Sequence, residues 1–285
     1  MKEIISWLLD IERMAGQLYA GAARLFPEDG ALTSFLTHLA DDEALHALAM
    51  GSALNKLHSA EEVVLLDEAV RQEVEAPFRV NLERLRTGTL DRQSLLECIV
   101  ATEFSEWNKL FLYVINLLKE SSREFQFVAA SMHSHQKMIS EFFAKEPDFK
   151  NELATINALP KIWKEKILLV DDSEAIRELM EAILEDEALV EKAADAGEGL
   201  RKLKGNYFDL VISDVNMPGI GGVEFYEQAV ELDPNLKDRF LFHTGYPAEK
   251  TIDFLKSNGL PYLLKPTPIS EFREIVRTML QGQRV

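Results

Sequence analysis

The spacing of apolar residues changes near residue 150 of the chain. In residues 2–145 apolar positions recur three and four apart over long stretches, which predicts amphipathic helices. Residues 166–285 alternate short apolar runs with amphipathic segments, which predicts strands that alternate with helices. The change predicts two domains, and we assign residues 1–146 to the first, 147–164 to a linker and 165–285 to the second.

The first domain is predicted to hold five helices. They span Lys2–Phe26, Ala31–Leu57, Leu66–Arg86, Arg92–Lys119 and Ser122–Lys145. Pro77 is expected to kink or break the third, because proline lacks an amide hydrogen and clashes with the preceding turn. Asp91 is a predicted N-cap of the fourth helix, and Ser121 with Glu124 fits a capping box for the fifth. A further short helix is predicted in the linker at Phe149–Ile156.

Five short apolar runs in the second domain are predicted strands. They are Ile167–Val170, Leu189–Ala193, Leu210–Ser213, Phe240–His243 and Tyr262–Leu264. The predicted helices that follow them in turn are Glu174–Leu184, Gly197–Lys204, Gly222–Leu232, Ala248–Ser257 and Ser270–Gln281. Strict alternation implies a parallel sheet covered on both faces, in which ligands bind beyond the carboxyl ends of the strands.

Charged and polar residues follow those strand ends. Asp171 and Asp172 come directly after the first strand, and Asp214 comes after the third. Such a carboxylate cluster is costly without a cation, and oxygen ligands favour a hard ion such as Mg²⁺. Thr244 follows the fourth strand and Lys265 the fifth, where a hydroxyl and an ammonium would stabilise the oxygens of a transferring phosphoryl group.

Several motifs of the second domain occur in a characteristic order. They are Ile167 to Asp172, Asp209 to Asp214, Met217-Pro218-Gly219, Thr244-Gly245 and Lys265-Pro266. Together they resemble the receiver domain of two-component response regulators, from about Lys166 to the end of the chain. The resemblance implies a flavodoxin-like α/β fold with a five-stranded parallel sheet.

The same resemblance implies a role for each matching residue. Asp214 would be the phosphoacceptor, and Asp171, Asp172 and Asp214 would hold Mg²⁺ together with the carbonyl group of Asn216. Thr244 and Lys265 would bind the phosphoryl group, and Tyr262 would be the switch aromatic. The implied phosphodonor is a sensor histidine kinase, and the implied catalysis is limited to autophosphorylation and autodephosphorylation of the domain.

Acids and histidines interrupt the apolar stripes of four helices in the first domain. They are Glu12, Glu43, His46, Glu103, Glu106 and His135. Tyr113 and Leu117 are expected to continue the stripe that holds Glu103 and Glu106. Because buried polar groups are costly unless they share a ligand or a hydrogen-bond network, their recurrence favours a common site. The alternative stays open that the glutamates reach solvent and the histidines are simply hydrogen-bonded in a core.

This pattern resembles the ferritin-like, rubrerythrin-type di-iron four-helix bundle, which uses two lone glutamates and two Glu-x-x-His motifs. Glu12 fits one lone glutamate, either Glu103 or Glu106 fits the other, and Glu43 to His46 fits one motif. His135 fits the second motif, but Met132 stands where its glutamate belongs. The resemblance therefore implies iron at an incomplete di-iron site, with a vestigial network that holds water as the alternative.

Composition narrows the function classes. With 31 Lys and Arg against 48 Asp and Glu, the net charge of −17 argues against binding to nucleic acid or anionic membranes. The acidic start lacks the pattern of a signal peptide, and no apolar run reaches the ~20 residues that span a bilayer, so we expect a cytoplasmic protein. The single cysteine, Cys98, excludes an intramolecular disulfide and a Cys-x-x-Cys iron centre.

Three functions are compatible with these features. The first is a phosphorelay response regulator whose helical domain senses iron or redox state or contacts a downstream protein, since no DNA-reading segment is recognised before Lys166 or after Val285. The second is a rubrerythrin-like redox enzyme regulated by the receiver domain. The third is a histidine phosphotransfer module, which His133 and Lys137 match only loosely. Homodimerisation through the last receiver helices is left open.

Overall fold

The chain divides into two compact units, Met1–Ile162 and Trp163–Val285, and the division falls inside the predicted linker. The structure is a computed structural model that describes residues 2–56, 68–103, 106–149 and 162–280, without the side chains of 106–109. The predicted linker helix Phe149–Ile156 lies outside the described residues, except for Phe149 at the end of a 3₁₀ turn. None of the described helices is both long and apolar enough to cross a membrane.

Helices make up the described part of the first unit. They are α1 (Lys2–Leu25), α2 (Gly30–Lys56), α3 (Glu68–Thr87), α4 (Arg92–Glu103), α5 (Glu106–Leu118) and α6 (Arg123–Phe143). Helix α1 packs along α2 and also contacts α3, while α6 packs against α2 and α5. The buried residues of α1, α2 and α6 lie on the apolar stripes predicted for these helices. These stripes face one another and form the core between the three helices.

Of the local predictions for these helices, one was confirmed and one was wrong. Helix α3 continues through Pro77, so of the two outcomes predicted there the break does not occur and the kink stays a prediction. Asp91 caps α4, because its Oδ1 accepts a 2.8 Å hydrogen bond from the Ser94 amide. No capping box forms at α6: Ser121 donates its hydroxyl to the Leu118 carbonyl, and Glu124 pairs with Lys56 at 3.0 Å. A nearby lysine thus draws away the carboxylate that a capping box needs.

The stripe predicted along α5 was also wrong. Tyr113 is 55% exposed and Leu117 is 50% exposed. The buried residues of α5 are Phe111, Leu112, Val114, Ile115 and Leu118. The buried face of α5 therefore lies about one residue later along the chain than the face that the predicted stripe marked.

The second unit contains a five-stranded parallel sheet with the order β2-β1-β3-β4-β5. The strands are β1 (Lys166–Val170), β2 (Leu189–Ala193), β3 (Leu210–Ser213), β4 (Phe240–Thr244) and β5 (Tyr262–Leu264). The helices are α7 (Glu174–Leu184), α8 (Ala196–Gly205), α9 (Gly222–Leu232), α10 (Glu249–Ser257) and α11 (Ile269–Leu280). The predicted α/β fold and its alternation of elements are confirmed.

Two apolar cores lie on the two faces of this sheet. One core includes Leu203, Phe225 and Leu255 from α8, α9 and α10, and the other includes Leu184 and Val276 from α7 and α11. Because helices cover both faces, the central strands read as continuous apolar runs. All five strands are parallel, so their carboxyl ends meet at one edge of the sheet.

Candidate functional site

The predicted receiver residues lie at that carboxyl edge. Val170 at the end of β1 is paired in register with Ser213 at the end of β3, so Asp171 and Asp214 leave the sheet side by side. Both side chains are largely buried, with residue exposures of 2% and 9%. Burial of two neighbouring carboxylates requires a positive charge close by.

Lys265, which follows β5, supplies that charge. Its Nζ lies 2.6 Å from Asp171 Oδ2 and 3.6 Å from Asp214 Oδ1. The other Asp171 oxygen accepts a 2.9 Å hydrogen bond from the Ser173 amide. Asp214 Oδ1 is buried and makes no hydrogen bond to any described residue. The pocket thus keeps one carboxylate oxygen available to a cation or to an electrophile.

The remaining predicted residues surround this pair unequally. Thr244 is fully buried at the end of β4, whereas the Asp172 side chain is exposed. Asn216 is exposed as well, and its Nδ2 lies 3.5 Å from Thr244 Oγ1 and 3.3 Å from the Tyr246 carbonyl. Tyr262 is half-buried and packs against the core on one face of the sheet. The pocket is therefore open on its Asp172 and Asn216 side.

Sequence reasoning missed two residues next to this pocket. A Cβ on Gly222 would lie 2.1 Å from the Asp214 carbonyl oxygen, so only glycine allows α9 to begin there. In the sequence, the consecutive glycines Gly221 and Gly222 were the feature that could have indicated this close contact. His243 precedes Thr244 on β4, and its Nε2 lies 3.2 Å from Thr267 Oγ1. Burial and then the Lys265 charge lower the pKa of His243 to about 4, so its imidazole is neutral at pH 7.

A second cluster lies inside the helical domain. It consists of Glu12, Glu43, His46, Glu103 and His135, each no more than 2% exposed. We call these five residues the buried cluster. Their ligand atoms form two groups that share Glu43, the first with Glu12 and His46, the second with Glu103 and His135, and within each group the atoms lie within 4.8 Å of one another.

The first group centres on His46. Its Nδ1 lies 2.8 Å from Glu43 Oε2 and 3.6 Å from Glu12 Oε2. Three buried atoms, Glu12 Oε2, Glu43 Oε1 and His46 Nε2, make no hydrogen bond to the described residues. Orphaned buried polar atoms are rare in proteins and are a common sign of a missing ion or water.

The second group centres on His135. Its Nε2 lies 3.3 Å from Glu103 Oε2 and 3.8 Å from Glu43 Oε1, while its Nδ1 lies 2.9 Å from Asp42 Oδ2. The Tyr19 hydroxyl donates a 2.7 Å hydrogen bond to Glu103 Oε1. Glu103, one of the two candidates on its stripe, thus faces inward. The side chain of the other, Glu106, lies outside the described part of the structure.

Protons compensate the charges of the first group when no other cation is bound. Burial, reinforced by the Glu43 charge, raises the pKa of Glu12 well above its usual value. Burial alone would raise the pKa of Glu43, but its contacts with Glu12 and His46 lower it to about 2. Burial opposes protonation of His46, yet the two carboxylates raise its pKa to about 10. Protons on Glu12 and His46 therefore balance the charge of the first group.

Residues 167–277 match the family model of the response regulator receiver domain. The chain belongs to this receiver family through its second unit, and it therefore carries a module of response regulator signalling. Domains of this family are phosphorylated by histidine kinases or small phosphodonors and generally use Mg²⁺.

Curated relatives match over the same part of the chain. Sporulation initiation phosphotransferase F of Bacillus subtilis is 32% identical over 121 residues, which are 42% of this chain and 96% of that protein. An uncharacterized response regulatory protein of Vibrio cholerae is 31% identical over 120 residues, which are 41% of this chain and 49% of that protein. Protein-glutamate methylesterase/protein-glutamine glutaminase 1 of Paramagnetospirillum magneticum is 39% identical over 108 residues, which are 36% of this chain and 28% of that protein. The chain thus spans half or less of the length of the last two.

Proposed function

We propose that this protein is a phosphorelay response regulator that accepts a phosphoryl group on Asp214. The observation that carries the proposal is the Asp214 Oδ1 atom, which is buried at the carboxyl edge of the sheet without a hydrogen bond to any described residue. A carboxylate oxygen that accepts no hydrogen bond keeps its lone pairs available for nucleophilic attack, while Lys265 Nζ at 3.6 Å balances its charge. It would attack phosphorus while the bond to the donor, a phosphohistidine nitrogen of a sensor kinase, breaks.

Neighbouring residues supply the electrostatics of this transfer. Asp171, Asp172 and Asp214, with the carbonyl of Asn216, would hold Mg²⁺, which neutralises charge on the phosphoryl oxygens when bound. One exposed carboxylate, Asp172, beside two buried ones leaves part of the site open to solvent, which fits Mg²⁺ because this ion usually keeps several of its waters. Lys265 Nζ already lies within 3.6 Å of Asp214 and can pair with a phosphoryl oxygen.

Thr244 and Tyr262 would report the modification to the rest of the receiver domain. Thr244 ends the strand next to β5, and its hydroxyl would bond a phosphoryl oxygen on Asp214. Its movement would leave room for the half-buried ring of Tyr262 to turn inward. This change of surface would alter contacts with a downstream protein.

Mass spectrometry of the intact chain tests the phosphoacceptor. Incubation with acetyl phosphate and Mg²⁺ should add one phosphoryl group to the wild type and to Asp253→Asn, a control at an exposed aspartate of α10. Asp214→Asn should remain unmodified, because its amide is a poor nucleophile. Equal labelling of Asp214→Asn and wild type would sink the proposal.

For the helical domain we propose a ferritin-like fold that binds iron at the buried cluster and acts as the sensor or the output of the receiver. Two groups of one imidazole and two carboxylates that share Glu43 support this proposal. Imidazole and carboxylate donors suit iron, and three orphaned buried atoms fit absent cations. When bound, iron would supply sensitivity to oxygen or peroxide, and Met132 remains the departure from a complete set.

The same cluster favours a second candidate function, a rubrerythrin-like redox enzyme whose activity the receiver regulates. Burial of all five residues would keep such a centre away from bulk solvent. Peroxide consumption by the iron-loaded chain, with Glu43→Gln as control, separates the two functions. Peroxide turnover that depends on Glu43 would support the redox enzyme. Bound iron without peroxide turnover would support the sensor.

A further inference from the structure

Strand β4 carries an imidazole at the end of an apolar run. The first three residues of β4 are apolar and fully buried, whereas His243 is half-buried and directly precedes Thr244. Because side chains alternate along a strand, His243 shares its face with Leu241, on the side of the sheet that α7 and α11 cover. The centre of its ring lies 5.1 Å from that of Phe272 on α11. An apolar side chain would fill this place at lower cost, since a polar group loses hydration on burial.

The hydrogen bond of this imidazole goes to the loop that carries Lys265. We call residues 265–268, between β5 and α11, the Lys265 loop. His243 Nε2 lies 3.2 Å from Thr267 Oγ1, and Nδ1 makes no hydrogen bond to the described residues. The Thr267 hydroxyl has a single hydrogen, which it donates to the Leu264 carbonyl at 2.8 Å. His243 Nε2 is therefore the donor, and the Thr267 hydroxyl oxygen is the acceptor.

A second hydrogen bond joins the same two segments. The Lys265 amide donates to the Thr244 carbonyl at 2.8 Å. Two consecutive residues of β4, His243 and Thr244, thus hold the Lys265 loop at Thr267 and at Lys265. From this anchored backbone the lysine side chain places Nζ 3.6 Å from Asp214 Oδ1. A lysine has a flexible four-carbon stem, so the position of its ammonium depends on how firmly the backbone below it is held.

We propose that His243 is a positioning residue for phosphoryl transfer, which fixes the Lys265 loop to β4 through Thr267. It acts through the loop and not on the phosphoryl group itself. With the loop held, Lys265 Nζ meets a phosphoryl oxygen without first being ordered, so less entropy is lost during the transfer. Without this bond, the loop would sample positions in which Nζ lies too far from Asp214. This inference rests on the proposed phosphorylation of Asp214.

The rate at which acetyl phosphate with Mg²⁺ labels the full chain, followed by mass spectrometry, tests the proposal. His243→Leu keeps an apolar contact with Phe272 but removes the donor. It should slow labelling by about 10–100-fold, because a displacement of about 1 Å at a reacting group costs up to that much. His243→Gln is the matched variant, since its side-chain amide offers a donor near the place of Nε2, and it should label at nearly the wild-type rate.

Substitutions on the acceptor side separate positioning from a general loss of stability. Thr267→Val removes the hydroxyl and should slow labelling at least as much as His243→Leu. Thr267→Ser keeps the hydroxyl and should label as wild type does. The double variant His243→Leu with Thr267→Val should be no slower than Thr267→Val alone, because both substitutions remove the same contact.

Hydrogen exchange at β4 and β5 amides identifies the variants that stay folded. Equal labelling rates in folded His243→Leu and wild type would overturn the role of His243 while phosphorylation of Asp214 stands. Equal slowing by His243→Leu and His243→Gln, or additive slowing in the double variant, would assign His243 to packing. If His243→Leu does not fold, equal rates in Thr267→Val and Thr267→Ser would overturn the proposal instead. A wild type that acetyl phosphate does not label would overturn the proposed phosphoacceptor itself.

Discussion

The receiver pocket and the buried cluster both gather carboxylates, but they compensate them in opposite ways. In the receiver, one lysine from the loop after β5 approaches Asp171 and Asp214, and Asp172 is left exposed. In the helical domain, two imidazoles and protons balance glutamates that are at most 2% exposed. The first arrangement leaves room for a phosphodonor, and the second admits only small species.

The elements that carry the two sites explain this difference. Strand ends deliver side chains to an open edge of a sheet, where each following loop is free to vary. Helix interiors deliver side chains to a closed core, where each polar atom must find a partner. Similar carboxylates thus lie at an open sheet edge in one domain and in a closed helical core in the other.

The largest expected effect comes from the residue that joins both groups of the buried cluster. Glu43→Gln should weaken both Fe²⁺ sites by more than about 100-fold, because the glutamine amide replaces a carboxylate shared by both groups. Glu12→Gln should weaken one site only. Anaerobic Fe²⁺ titration measures both, with exposed Glu141→Gln as control. Retention of two ions by Glu43→Gln would show that the carboxylate does not bridge them.

In the receiver, Gly222→Ala should destabilise the sheet by about 2–3 kcal/mol, because the new methyl group would overlap the Asp214 carbonyl oxygen. It should also slow labelling of Asp214 by acetyl phosphate. Hydrogen exchange at β1 and β3 amides measures the loss of stability. Gly205→Ala is the control, since a Cβ there meets no atom within 4 Å, and equal exchange in the two variants would refute the steric argument.

Acid should selectively weaken the receiver through His243. The pKa of this residue is lowered to about 4 in the fold by burial and by Lys265, so the unfolded chain binds more protons between about pH 6.5 and pH 4. Stability therefore falls as the pH drops through that window, and solvent screening of this half-buried ring limits the loss to about 1–2 kcal/mol. His243→Leu should lose this part of the dependence. An unchanged pH profile of β4 hydrogen exchange in His243→Leu would contradict the assignment.

The smallest loss of stability should come from a substitution at Trp163, the first residue of the second unit. Trp163 Nε1 donates a 2.9 Å hydrogen bond to Asp209 Oδ2, and the Lys166 amide donates to the same oxygen at 2.8 Å. Trp163→Phe should cost about 1 kcal/mol, since one bond to a buried carboxylate is lost. Exchange at β1 and β3 amides reports the change. No change would mean that Trp163 belongs to the linker, as the sequence pattern indicated.

Local sequence pattern predicted most of the receiver. Short apolar runs with acids at their ends located all five strands to within one residue, because strands buried on both faces carry a simple signal. Gly222 was passed over as an ordinary helix start, since nothing in the pattern reveals that a carbonyl oxygen lies 2.1 Å from where its Cβ would be.

The helical domain was less predictable, and the reasons are physical. The predicted stripe carried the spacing of Arg92–Glu103 on into α5, but Tyr113 and Leu117 are exposed there. Glu12, Glu43, His46, Glu103 and His135 were found from their stripes. Asp42 was missed, because it lies beside the stripe and its partner His135 is 93 residues away. Such a contact leaves no trace in helical spacing.

Metal analysis of the full chain tests most directly the claim that the two acidic sites serve different ions and different tasks. Wild type and Asp214→Asn would be loaded anaerobically with Fe²⁺ in excess Mg²⁺, passed through a desalting column and analysed for iron per chain. Two iron ions per chain in both proteins are predicted, because the buried cluster does not involve Asp214. Iron that is absent from the wild type, or that disappears with Asp214→Asn, would contradict the account.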